Sequence, residues 1–176
     1  MPHGSCALIR SLGKLRCIAT DDLRFDDDGV PLSDAFADSY FSRDGGAADS
    51  THVFLEGNRL PERMAAPETA VLSIAELGFG TGLNFLSTWQ LFEELAPPER
   101  RLHYWSVDAH PLRRSALETA LAFWPRFQRH ASALSESYPP RIGGGHRRVF
   151  AGGRVVLGCG WAGASGGLGG LGGAAG

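Results

Sequence analysis

The stretch AELGFGTGLNFLSTWQLF, residues 75–92, decides the fold class of this chain. It joins a continuous apolar run, residues 69–78, through three glycines at alternate positions to a segment with helical periodicity that begins at Thr81. The apolar run predicts a buried strand, and the periodic segment predicts an amphipathic helix. A glycine-rich turn between a strand and a helix is typical of nucleotide-binding α/β sheets, because backbone N–H groups can closely approach a ligand there.

The segments on either side extend this pattern. Residues 101–110 predict a second strand with Asp108 near its end, and residues 111–124 predict a second helix that opens on a proline. We predict one hairpin over residues 53–64 and another over residues 146–157, each around a glycine-containing turn. A strand, a glycine turn, a helix and a second strand form the first half of a doubly wound sheet.

Composition sets the expected domain boundaries. Residues 1–20 carry three basic groups and no acid, and we expect them to form a poorly ordered extension. Residues 158–176 contain ten glycines and no charged side chain, so ordering them would lose much backbone entropy with few side chains to offset it. We therefore expect one domain over residues 21–157, followed by a disordered glycine-rich tail.

Two ligand classes fit the glycine turn poorly. A phosphate-binding Walker loop requires a lysine after its last glycine, and the only lysine of the sequence is Lys14. A dinucleotide fingerprint that starts at Gly78 requires a small residue at position 83, where the chain has Leu83. This second mismatch disfavours a fragment of a Rossmann oxidoreductase.

The turn also follows a third pattern. Glu76 stands two residues before a G-x-G-x-G turn made by Gly78, Gly80 and Gly82, and this spacing is the first motif of class I S-adenosylmethionine methyltransferases. Asp108, at the end of the next predicted strand, would accept hydrogen bonds from both ribose hydroxyls of such a ligand. A glycine turn that binds no ligand remains a fourth possibility.

Other kinds of site have weak support in the sequence. Cys6, Cys17 and Cys159 are widely spaced, which argues against a disulfide framework or a zinc site. The six histidines show no metal-ligand spacing, so we expect no metal. The G-x-S-x-G match around Ser165 lies in the glycine tail without a strand before it. No apolar run approaches the roughly 18 residues of a membrane span, and we expect a cytoplasmic protein.

Longer motifs around the loop resemble the methyltransferase domain of the MnmC family, bacterial enzymes of tRNA wobble-uridine modification. The resemblance covers roughly residues 22–157. It is carried by DGVPLSDAFADSYFS (28–42), VFLEGNRLPERM (53–64), ELGFGTGLNFLSTWQLF (76–92), LHYWSVDAHPL (102–112) and, more weakly, HRRVFAGGRVVL (146–157).

The resemblance implies a Rossmann-like methyltransferase that binds S-adenosylmethionine and acts on tRNA. It would transfer a methyl group to the aminomethyl group on C5 of a wobble 2-thiouridine. The cofactor-binding residues that the resemblance implies are Tyr40, Phe41, Ser42, Glu76, Gly78, Gly80, Gly82, Asn84 and Asp108.

The sequence also departs from the family pattern. The family has a downstream D-x-W-F-L-D-G-F type segment whose acid lies at the substrate amine, and no such segment occurs here. We therefore expect an incomplete fold, with the N-terminal half of the sheet, no FAD domain and an exposed strand edge that promotes association. A frameshift or premature end near residue 157 would explain the glycine tail. The alternative function is a non-catalytic remnant that binds cofactor or tRNA.

Charge is distributed unevenly around the net value of −2. Residues 21–99 carry sixteen acids and four arginines, whereas residues 100–154 carry ten arginines and three acids. An arginine-rich segment can contact nucleic acid, although solvated helix and loop faces would give the same composition. The charge pattern is therefore compatible with either interpretation.

Overall fold

The structure, a computed structural model, describes residues 23–25, 31–33, 38–39, 50–66 and 69–162. The predicted extension over residues 1–20 lies outside the described residues, and so do residues 163–176 of the tail predicted over residues 158–176. Three short strands near the start pair antiparallel in chain order: β1 (Leu23–Phe25), β2 (Pro31–Ser33) and β3 (Asp38–Ser39).

The remaining elements form an α/β unit. In chain order they are a π-helical segment (Ser50–Glu56), α1 (Leu60–Ala65), β4 (Val71–Leu77), α2 (Leu83–Leu95), β5 (Arg101–Asp108), α3 (Arg114–Leu121), a 3-10 turn (Pro125–Phe127), α4 (Gln128–Ser137), β6 (Gly144–Phe150), a second 3-10 turn (Ala151–Gly153) and β7 (Val155–Trp161).

The main sheet has the strand order β4-β5-β7-β6. Strands β4, β5 and β7 are parallel, and β6 returns antiparallel beside β7. The chain moves in the same direction along the sheet from β4 to β5 and from β5 to β7. Right-handed crossovers that advance in one direction place their helices on the same face of a sheet, which fits the single packed face observed here.

Burial alternates along the two strands that carry the site. Leu72 and Ile74 of β4 and Tyr104 of β5 are buried beneath the helices, whereas Trp105 and Val107 on the opposite face are 52% and 49% exposed. Period-two alternation of this kind marks a sheet with one packed face. Strand β4 also has no neighbour on its outer edge among the described residues, as expected for an incomplete sheet.

An aromatic cluster fills the core between α2 and the sheet. Phe85 of α2 is fully buried, and its ring centroid lies 5.2 Å from that of Tyr104 and 5.6 Å from that of Trp89. The rings of Phe79 and Phe150 lie 6.4 and 6.0 Å from Phe85. These contacts join the first strand-turn-helix unit to β5 and β6.

Most of the predicted elements are confirmed. The apolar run forms β4, the periodic segment forms α2, residues 101–108 form β5, and residues 146–157 lie within the β6–β7 hairpin. The helix predicted over residues 111–124 is present but shorter than predicted, since α3 covers only Arg114–Leu121.

Two features differ from prediction. The hairpin predicted over residues 53–64 is wrong, because the chain forms the end of the π-helical segment and then α1, whose Leu60 and Met64 are both buried at helical spacing. Strand β7 continues to Trp161, four residues beyond the domain boundary predicted at residue 157.

Candidate cofactor site

The glycine loop, residues 78–82, lies where β4 ends and α2 begins. Gly78, Gly80 and Gly82 have positive φ angles of 85°, 52° and 74°. Other residue types adopt this left-handed region only with strain, so the spacing of the glycines follows the path of the backbone. Gly82 also precedes the first residue of α2, and the helix therefore starts directly from the loop.

Three backbone N–H groups attach this region to the end of β5, and a fourth, from the chain just after β5, donates to the same Asp108 carboxylate. Gly78 N donates to Val107 O at 2.8 Å and so extends the strand pairing by one residue. Phe79 N and Gly80 N both donate to Asp108 Oδ2, at 2.9 and 3.0 Å, and His110 N donates to Asp108 Oδ1 at 2.8 Å. Asp108 therefore holds the glycine loop in place in the structure.

A second acid lies beneath the first turn of α2. Asn84 Nδ2 donates to Glu76 Oε1 at 2.8 Å. Burial raises the pKa of Glu76 to about 7, whereas interactions with the side chains of Asn84, Tyr104 and Ser106 oppose this rise. The nearby Asp108 carboxylate contributes a smaller rise to the pKa of Glu76. Tyr104 and Ser106 are therefore part of the site, although their residue types gave no signal in the sequence.

The raised pKa of Glu76 predicts a pH-dependent stability. The folded chain binds this proton more tightly than the unfolded chain, so the stabilisation is complete below pH 4.5 and is lost as the pH rises through about 7. Glu76→Gln has no proton to lose at this position, so its stability lacks this pH dependence. We subtract the free energy of unfolding of the unsubstituted chain from that of the variant at each pH. This difference should rise by about 2 kcal/mol between pH 4.5 and pH 8.

Urea unfolding at a series of pH values measures this effect. Glu99→Gln removes an exposed acid from the turn before β5 and serves as the matched control. The difference between that control and the unsubstituted chain should stay constant with pH. A constant difference for Glu76→Gln as well would contradict the assignment of the proton to Glu76.

Aromatic side chains support the loop from below. Phe79 is buried, and its ring centroid lies 6.2 Å from that of Tyr138 and 6.0 Å from that of Trp161. A Cβ atom added to Gly82 would lie 2.9 Å from Cζ of Phe79 and 3.2 Å from a methyl carbon of Leu134. Both the backbone angle and the packing therefore require glycine at position 82.

The structure brings together most of the residues predicted for the site. Glu76, Asn84 and Asp108 lie around the three glycines of the loop. The predicted residues Tyr40, Phe41 and Ser42 lie outside the described residues. Their proposed contact with a cofactor stays a prediction.

A concavity lies within the helical layer. It measures about 540 Å³ and lies between α3 and α4, where Glu118, Trp124 and Glu136 are among its lining residues. It shares no residue with the glycine loop. Within the described ranges there is no group of three side chains that could hold a metal ion, and none of the described helices is long and apolar enough to cross a membrane.

Comparison with known proteins connects this geometry to one group. The chain is 50% identical over 137 residues to the tRNA 5-methylaminomethyl-2-thiouridine biosynthesis bifunctional protein MnmC of Stutzerimonas stutzeri strain A1501. This match covers 77% of this chain and 21% of that protein. The proteins of the same name from Chromohalobacter salexigens and Pseudomonas aeruginosa strain PAO1 are 46% identical over 155 residues and 51% identical over 136 residues. These matches cover 86% and 77% of this chain, and 22% and 21% of those proteins.

A solved structure supports the same fold. The crystal structure of MNMC2 from Aquifex aeolicus matches with a TM-score of 0.53 at 20% sequence identity, over 80% of this chain and 42% of that chain. No protein-family model matches the sequence. The Rossmann-like fold and the resemblance predicted from the sequence motifs are thus confirmed: the chain is homologous to part of the MnmC proteins and spans about a fifth of their length.

Proposed function

We propose that this chain forms the S-adenosylmethionine-binding part of a methyltransferase that modifies the wobble uridine of tRNA. The observation that carries the proposal is the glycine loop, held at the carboxyl ends of two parallel strands between Glu76 and Asp108. Ligands of open α/β sheets bind at this edge. The MnmC relatives, at about 50% identity, are named for the biosynthesis of tRNA 5-methylaminomethyl-2-thiouridine, and this name supports tRNA as the substrate.

The residues present fit this cofactor. Within the described part of the chain, two acids hydrogen-bond to the loop and the start of α2: Asp108 and Glu76, whose carboxylates suit the hydroxyl and ammonium groups of an adenosyl-methionine ligand. Bound S-adenosylmethionine would supply an electrophilic methyl group on a sulfonium centre. Residues 78–82, together with Asp108, would hold the nucleoside end of the ligand and fix its direction relative to an attacking amine. That amine must be neutral to attack.

Isothermal titration calorimetry tests cofactor binding. We expect S-adenosylmethionine to bind and NAD not to bind at the same concentrations. Gly80→Val should abolish binding, because a β-branched side chain is strained at the positive φ of the loop. Gly152→Val, at a positive φ in the β6–β7 turn, is the matched control and should bind normally. Binding of NAD alone, or of neither ligand by folded chain, would overturn the proposal.

The proposed tRNA substrate has support from the surface charge. Arg113 and Arg114 are exposed at the start of α3, a few residues after Asp108. Not all ten arginines of residues 100–154 are available, because Arg100 is buried and donates to Met64 O. Binding to tRNA should weaken steeply with salt, and an affinity independent of salt would contradict this contact.

A non-catalytic remnant is the second candidate. In this candidate the glycine loop between Glu76 and Asp108 would bind the cofactor without a methyl transfer that follows. Binding of S-adenosylmethionine without methyl transfer to hypomodified tRNA would support the remnant, whereas methyl transfer would support the enzyme. A cytoplasmic location is part of either proposal, since tRNA is there.

A further inference from the structure

We infer that Asp108 is a positioning and specificity-determining residue, which clamps the glycine loop to β5 and thereby excludes phosphate-bearing nucleotides from it. The sequence motif predicts Asp108 as a ribose ligand. The structure shows a different set of partners for its carboxylate, all of them backbone N–H groups of the chain itself. The inference rests on the proposed function for the identity of the cofactor, but not for the state of the loop.

The first step concerns how many hydrogen bonds Asp108 can still accept. A carboxylate offers about four acceptor positions, two on each oxygen. Phe79 N and Gly80 N occupy Oδ2, and His110 N occupies one position on Oδ1. About one position therefore remains, on Oδ1. Asp108 can bind one hydroxyl of a ribose without releasing the loop, but not two.

The second step concerns the loop N–H groups. In phosphate-binding loops such N–H groups point at phosphate oxygens. Here those of Phe79 and Gly80 already donate to a carboxylate at 2.9 and 3.0 Å. A phosphate group would have to displace Asp108 from these donors and would bring a second negative charge close to it. Two negative charges that share the same N–H donors repel each other strongly in a partly buried site.

The third step concerns the neighbouring charges. Glu76 adds a second carboxyl beneath the start of α2, where Asn84 donates to it, and the Asp108 carboxylate contributes to the raised pKa of Glu76. The loop is therefore lined by acids on both sides. A ligand with hydroxyl donors and a positive charge is favoured at such a loop, and a ligand with a pyrophosphate is disfavoured.

Amide hydrogen exchange of the ligand-free chain tests the clamp. In Asp108→Ala the amides of Phe79 and Gly80 should exchange roughly tenfold faster or more, as expected when hydrogen bonds to a charged acceptor are lost. The amide of Gly78 is an internal control, because it donates to Val107 O and keeps its partner. Unchanged exchange at Phe79 and Gly80 would overturn the clamp.

Calorimetry of Asp108→Asn tests the specificity with a nearly isosteric side chain. Affinity for S-adenosylmethionine should fall about tenfold, while affinity for ADP should rise about tenfold from a very weak level. If Asp108 had a purely structural role, the substitution would lower the affinity for both ligands, and that result would overturn the inference. Glu99→Gln, which removes one exposed negative charge at the other end of β5, should change neither affinity.

The two proposals fail in different ways. If the unsubstituted chain binds no S-adenosylmethionine, the proposed function fails, whereas the exchange rates and the ADP titration still decide the role of Asp108. If S-adenosylmethionine binds but Asp108→Asn does not gain ADP affinity, the proposed function stands and the inference about Asp108 fails. Circular dichroism of both variants verifies that the fold is retained.

Discussion

Replacing Phe85 with alanine should lower the free energy of unfolding by about 3–5 kcal/mol. Phe85 is fully buried, and its ring packs against those of Phe79, Trp89, Tyr104 and Phe150. Removing it takes away transfer free energy and leaves a cavity that four rigid rings cannot close. A loss of this size is comparable with the total stability of a small domain, so the variant should be largely unfolded at moderate temperature.

Phe123→Ala is the matched control, because it removes the same atoms from a side chain that is 44% exposed. Its cost should stay below about 1 kcal/mol, as for most surface substitutions. Urea unfolding followed by far-UV circular dichroism gives both values. Equal losses for the two variants would show that the aromatic cluster is not the centre of the core.

Replacing Gly82 with alanine should cost about 2–4 kcal/mol and should also disturb the glycine loop. Part of the cost is the left-handed backbone, since φ is 74° at this position. The rest is overpacking, because the new Cβ would lie 2.9 Å from Cζ of Phe79, which itself belongs to the loop. Phe79 must move, and its N–H bond to Asp108 should weaken as it does so.

Gly152→Ala separates the two contributions. Gly152 has a positive φ of 63°, and an added Cβ there meets nothing within 4 Å. Its substitution should therefore cost only the backbone strain, about 1 kcal/mol. Thermal unfolding of both variants measures the difference. If Gly152→Ala is as damaging as Gly82→Ala, packing against Phe79 does not restrict the loop.

The centre of the fold was predictable because local signals and tertiary packing agree there. The apolar run of residues 69–78 contains Leu72 and Ile74, which are buried in β4. The helical spacing after Thr81 places Leu86 and Phe92 on the packed face of α2. Propensity, periodicity and glycine position all indicated one structure, and such agreement is characteristic of a foldable segment.

Two α-helices were not predicted, each for an identifiable reason. In residues 53–64 a short β-like run, Val53 to Leu55, concealed the four-residue spacing of Leu60 and Met64, which are buried in α1. Helix α4 has few apolar residues, so it shows no clear stripe. In the structure α4 packs against α2 and α3, and such tertiary contacts, which the sequence does not display, can override a weak local signal.

The end of β7 was hidden by its glycines. Gly158 and Gly160 resembled the start of the tail, although both lie in the strand. The reason for glycine at position 158 is three-dimensional: the ring of Trp105 lies across this position, 2.1 Å from where a Cβ would be. Trp105 and Gly158 face each other in the parallel register, a relation that only the folded sheet defines.

The candidate site was predictable in its members but not in its connections. The motif spacing identified Glu76, Asp108 and the glycines, and the structure places them together. The motif did not reveal that Asp108 binds the loop backbone. Nor did it reveal Tyr104 and Ser106 beside Glu76, because hydroxyl side chains at alternate strand positions occur in many unrelated sheets.

Titration of ¹⁵N-labelled chain with S-adenosylmethionine tests the central claim most directly. We expect chemical-shift changes at the amides of residues 78–82 and of Asp108 to His110, where β4 and β5 end, and little change around Glu118 and Glu136 in the groove between α3 and α4. Changes confined to that groove, or no changes at saturating concentration, would contradict the assignment of the glycine loop as the cofactor site.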